Sequence, residues 1–184
     1  MNVTDAVMDR LDAVVTKAVG VTKAVGAAPG RGHPQIVTIG RPRAEVEQLW
    51  HDPRLLSRVF GEMASVDSSE GARDDGADGT RYVWRLGPDG GENVTWTTTL
   101  AEEPGMLRFT GTGDAAAGTY LQLNFRDAPQ GLGTEVTLSV RAPLPDILTD
   151  TAAFAALYRA RALLQTGEIP TLAGNPSARA TSDG

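Results

Sequence analysis

Cysteine is absent and histidine occurs twice in the 184 residues, so thiolate nucleophiles and disulfides are excluded and imidazole chemistry rests on His33 and His51. His51 follows Trp50 at the junction of two short helical segments. An imidazole there could act as a general base at a cavity mouth; a surface or capping role is the alternative. His33 precedes Pro34 in a connection and reads as solvent-exposed. Histidines in such different settings do not make a zinc or iron site. Asp74, Asp75 and Asp78 cluster in a glycine-rich loop without the later bidentate Glu that an EF-hand needs. No metal centre is expected. Arg161 stands two helical turns after Phe154, where a guanidinium could meet a ligand carboxylate, enolate or phenolate, or snorkel to solvent at the edge of the apolar stripe. Tyr82 and Tyr120 could donate to a carbonyl or be ordinary half-buried sheet residues, while Arg81, Arg85 and Arg108 fall on the polar side of their strands. A Ser–His–Asp arrangement, a phosphate loop and a dinucleotide fingerprint are all missing, so no cofactor is expected.

These side chains need a scaffold, and its elements are legible from apolar periodicity. Gln35–Ile39 is a β-branched run and reads as a strand. Pro42 opens a helix whose apolar face is Val46, Leu49 and Trp50. Asp52 caps and Pro53 opens a second short helix, filled by Leu55, Leu56, Val59 and Phe60 and ended by Gly61. Alternating segments follow: a weak one at Met63–Ser69, then Thr80–Leu86, Glu92–Ala101, Met106–Thr112, Gly118–Arg126 and Thr134–Arg141. Turn signals such as Pro88-Asp89-Gly90 and Pro104-Gly105 join them into an antiparallel meander. Its apolar face needs a cover, and the long helix Asp146–Thr166 supplies one, with Ile147, Phe154, Leu157, Tyr158 and Leu164 expected as its stripe. Trp84, Trp96, Phe109, Leu121, Leu123, Phe125, Val136, Leu138, Phe154 and Tyr158 are then the residues expected to line or underlie a cavity between sheet and helix. Plain core is the alternative for any one of them.

Composition sets the outer bounds. Hydrophobic residues at 41% and charged residues at 22% allow a normal core in one domain. A net charge of −6, with 17 scattered basic residues, argues against nucleic acid and against anionic membrane surfaces. The start of the chain carries Asp5, Asp9 and Asp12 and does not read as a signal peptide, and no apolar run has transmembrane length; a cytoplasmic location is expected. Residues 1–33 form an arm, helical or flexible, in which Val3, Val7, Leu11, Val14 and Val15 recur at helical spacing and VTKAVG occurs twice. Residues 34–176 form the domain, and 177–184 a disordered tail. The arm could join the chain to a protein partner or to a second copy.

The order strand, two short helices, meander, long helix resembles the SRPBCC or START-like superfamily, often labelled polyketide cyclase/dehydrase. Val37-Thr38-Ile39 with Pro42 and Glu45-Val46 is similar to its opening strand and first helix. Val94-Thr95-Trp96 with Glu103-Pro104-Gly105-Met106-Leu107 is similar to its central hairpin, and Gly133–Leu138 to its last strand. The tail Thr166–Thr171, with Gly174 and Pro176, resembles one bacterial branch. The resemblance implies an α+β helix-grip fold, a curved antiparallel sheet of about seven strands wrapped on a C-terminal helix. It also implies a cavity for a small hydrophobic or aromatic ligand. The closing helix is shorter than is usual in that superfamily, which implies a smaller or more open cavity. A carrier or sensor is the first functional expectation. An aromatase/cyclase or dehydratase, with His51, Tyr158 and Arg161 as acid–base and oxyanion groups, is the second. An interaction protein acting through the arm is the third.

Overall fold

A computed structural model of the chain describes residues 30–72, 78–87, 94–144 and 146–169. The expected N-terminal helix, the VTKAVG repeat, the Pro88-Asp89-Gly90 turn and the tail after residue 169 lie outside these residues. Seven antiparallel strands form one curled sheet: β1 (Gln35–Ile39), β2 (Ala64–Ala72), β3 (Asp78–Leu86), β4 (Val94–Glu103), β5 (Met106–Gly111), β6 (Tyr120–Asp127) and β7 (Thr134–Ala142). Their order across the sheet is β1-β7-β6-β5-β4-β3-β2. A two-residue stretch, Gly30–Arg31, extends the β1 edge by pairing with Ala142 and Arg141 of β7. Between the two, His33 and Pro34 leave the ladder, as expected of a proline with no N–H to give.

Register puts the apolar alternates of every strand on one face. Trp84 pairs with Trp96, Leu100 with Phe109, Phe109 with Leu121, Leu123 with Leu138, and Phe125 with Val136. All are buried, because a one-residue slip in any strand would turn its whole apolar set to water. Two short helices, α1 (Arg43–Leu49) and α2 (Pro53–Phe60), follow β1. Asp52 caps α2, its Oδ1 accepting from the N–H groups of Arg54 at 2.8 Å and Leu55 at 3.4 Å. α2 lies along β2, the outermost strand. There the Ser57 hydroxyl accepts from Val66 N–H at 2.8 Å and lies 3.1 Å from Val66 O and 2.9 Å from Pro53 O, the two carbonyls to which it can donate.

The 21-residue helix α3 (Asp146–Thr166) closes the concave face, packing on β1, β7 and α2. Its boundaries are those expected, and Leu157 and Leu164 turn inward as expected, but Phe154 and Tyr158 do not. Thr149, Ala153, Ala156, Leu157 and Ala160 are buried, whereas Phe154 is 63% and Tyr158 is 55% exposed. At about 100° per residue, Ala153, Leu157, Ala160 and Leu164 fall on one stripe, and Phe154, Tyr158 and Arg161 fall well round from it. Trp84, Trp96 and Phe109 already fill the bowl of the sheet, so the helix comes close only by presenting methyl-sized side chains. Among the described residues no helix is long and apolar enough to cross a membrane.

Candidate functional site

Under the N-terminal half of α3 the packing leaves a cavity of about 30 Å³. Trp84, Trp96 and Leu121 floor it. Val140 and Ala142 of β7 form one wall, and Thr149, Ala152 and Ala153 of α3 form the roof. Phe60, at the end of α2, stands edge-on to Trp84 with ring centroids 5.4 Å apart. The surroundings are almost wholly apolar because both indoles are tied off behind the wall. Trp84 Nε1 donates to Thr98 Oγ1 and Trp96 Nε1 to Thr119 Oγ1, each at 2.9 Å. Thr119 in turn donates to Ala116 O at 2.6 Å. The volume is about one water's share of the liquid, and about a tenth of the lower end for ligand pockets.

Of the residues expected at a ligand site, Trp84, Trp96 and Leu121 line this cavity. Phe109, Leu123, Phe125, Val136 and Leu138 are buried in the core without lining it. Contrary to expectation, Phe154 and Tyr158 sit on the outer face of α3, turned from the sheet because the filled bowl has no room for an aromatic ring from the helix. Phe60, Val140, Ala142 and the small residues of α3 join the site unforeseen. The period-2 pattern of β7, carried two and four residues past Leu138, was the signal for Val140 and Ala142.

The three candidate catalytic residues are not brought together. Arg161 is exposed, and its Nε donates to Gln165 Oε1 at 3.1 Å. Arg159 is the α3 arginine that turns inward, donating to Phe60 O at 2.9 Å at the C-terminal end of α2, where the helix dipole favours a cation. His51 lies at the α1–α2 junction, outside the cavity lining. Its Nδ1 donates to Glu47 O at 2.9 Å and its Nε2 is 3.1 Å from Glu102 Oε1. Both ring nitrogens thus face acceptors, which leaves no lone pair aimed at a substrate. Tyr82 donates to His51 O at 2.9 Å. Burial first, then the charges of Glu102 and Asp52, push its phenol above the usual tyrosine range. The described residues contain no group of three or more His, Cys, Asp or Glu able to hold a metal.

A second hollow, of about 360 Å³, lies on the outside between Arg43, Pro104, Gly105, Asn124, Arg126 and Thr137. Each of its guanidiniums already carries a carboxylate: Arg43 Nε meets Glu47 Oε1 at 2.6 Å, and Arg126 meets Glu135. Charge alone therefore gives it no preference for an anion.

No protein-family model matches the sequence, and no curated protein matches it. Solved structures do match. DR_A0006 from Deinococcus radiodurans shares 25% identity over 73% of this chain and 98% of its own, with a TM-score of 0.55. TTHA0849 from Thermus thermophilus shares 20% identity over 73% of this chain and 97% of its own, with a TM-score of 0.57. The di-domain ARO/CYC StfQ from the steffimycin biosynthetic pathway shares 15% over 72% of this chain and 44% of its own, with a TM-score of 0.56. The curled antiparallel sheet closed by a C-terminal helix is a helix-grip fold. Within this helix-grip chain, the place between sheet and closing helix is the one where the 30 Å³ cavity sits.

Proposed function

We propose that this helix-grip chain holds a small apolar or aromatic molecule between the sheet and the N-terminal half of α3, as a carrier or sensor. The observation that carries the reading is the apolar hollow walled by Trp84 and Trp96, whose N–H groups are both satisfied away from it. A guest there gains affinity by burying its own apolar surface, at about 25 cal/mol per Å². It finds Thr149 as the single hydroxyl among the described lining residues. A ligand larger than water enters by lifting α3 around Thr149–Ala153, where the inward side chains are small and little apolar area has to separate. An aromatase/cyclase or dehydratase would use the same space, and the fold of StfQ is compatible with that. Its chemistry, however, would need an acid and a base, and the described lining offers the Thr149 hydroxyl with no carboxylate, imidazole or amine beside it.

Buried tryptophans make the test direct. Titration with naphthalene, 1-naphthol and an anilinonaphthalene dye should quench tryptophan emission saturably. It should also raise Tm by about 5–10 °C when ligand exceeds Kd a hundredfold. Ala153→Leu, which fills the hollow, should abolish both effects. A full panel without quenching or stabilisation would remove the basis for a guest.

A further inference from the structure

Just before β1 the chain makes a strap that touches both walls of the cavity. Gly32 N–H donates to Val140 O at 3.0 Å, on the β7 wall. One residue later, His33 grips the α3 roof twice through one carboxylate. Its backbone N–H donates to Asp150 Oδ1 at 2.5 Å, and its Nδ1 donates to Asp150 Oδ2 at 2.9 Å. Asp150 lies between Thr149 and Ala152, both roof residues. Gly32 makes the approach possible, because a Cβ there would stand 3.0 Å from both Asp150 Oδ1 and Thr149 Cγ2. The His33 side chain is 86% exposed, so the grip is released from the solvent side without disturbing the core.

Resting on the guest-binding reading of the cavity, we propose that the His33–Asp150 pair is a latch that holds the N-terminal half of α3 down over the guest site and sets how fast it opens. Among the described side chains, the inward residues of this stretch are small: Thr149, Ala152, Ala153 and Ala156. The C-terminal half is held separately, by Arg159 on Phe60 O and by Arg41 Nε on Leu164 O at 2.8 Å. Opening is thereby confined to the first turns of the helix.

Hydrogen exchange on the full chain without any ligand tests the latch. In His33→Ala and in Asp150→Ala, amides of residues 149–157 should exchange about three- to tenfold faster, the range expected for losing an exposed charge-assisted pair. Amides of β5 and β6 should be unchanged. The double variant should be no more open than Asp150→Ala, which already removes both bonds, whereas His33→Ala keeps the backbone one. Stopped-flow mixing with the anilinonaphthalene dye should show association accelerated by a similar factor in each variant. Unchanged exchange in 149–157, or a rise spread equally through β5 and β6, overturns the latch. Faster local exchange with no dye uptake by any form overturns its role as a gate, and assigns the failure to the binding reading rather than to the pair.

Discussion

Trp84 and Trp96 face one another across β3 and β4 with ring centroids 5.6 Å apart, and each buries an N–H that must find an oxygen. The alternation of the strands made both indoles legible as inward. What it could not show was that Thr98 and Thr119, polar residues on the same inward face, would be their acceptors. Thr98→Val keeps the shape and strands the Trp84 N–H, and should cost about 1–3 kcal/mol in a urea unfolding series. Tyr82 gives a second prediction at this scale. Its folded-state value is raised, so the stability it contributes is complete below the unfolded tyrosine value of about 10 and is lost as pH rises through the folded one. Tyr82→Phe should therefore lose about 1 kcal/mol at neutral pH, with its hydrogen bond to His51 O, and should show a shallower fall in stability above pH ~10. His51 and Arg161 stood out in the sequence as rare or well-spaced reactive groups. Only the folded structure shows that their hydrogen bonds run to Glu47 and Gln165.

For α3, length and boundaries were readable from where helix-favouring residues begin and end, but the buried face was only partly so: Leu157 and Leu164 turn inward, Phe154 and Tyr158 outward. The expectation ranked residues by size, and the bowl of the sheet selected against size. Ala156→Leu should thus destabilise by about 1–3 kcal/mol through overpacking. Phe154→Ala, on the outer face, should change stability by no more than about 0.5 kcal/mol. Chemical denaturation of the two variants side by side decides between the faces. The strands were more transparent because period 2 admits one inward set only, and the turns between them fixed the register. The β6–β7 connection relies on Gly133, at φ 111°, where a Cβ would collide with Ile39 O. Gly133→Ala should lower Tm by several degrees through strain at the β1–β7 edge.

Taken as a molecule, the chain was recognisable from the order of its elements together with short motifs such as Val37–Ile39 and Gly133–Leu138, and its structural neighbours share that architecture at 15–25% identity. The short closing helix pointed to a smaller or more open cavity, but its volume was not recognisable, because it depends on how far one helix stands off a sheet, and one methylene more or less at each of several alanines decides that. Charge was equally uninformative about the site, since no charged side chain is among its described lining residues.

The hydroxyl of Ser57 has one more consequence. β2 is the outermost strand, and at Val66 its outward amide and carbonyl meet that hydroxyl rather than water. A foreign strand seeking to zip onto this margin would first have to evict α2. The serine is therefore a guard against the chain templating its own fibres. Removing it would create a seam whose first symptom is concentration-dependent turbidity rather than a lost function.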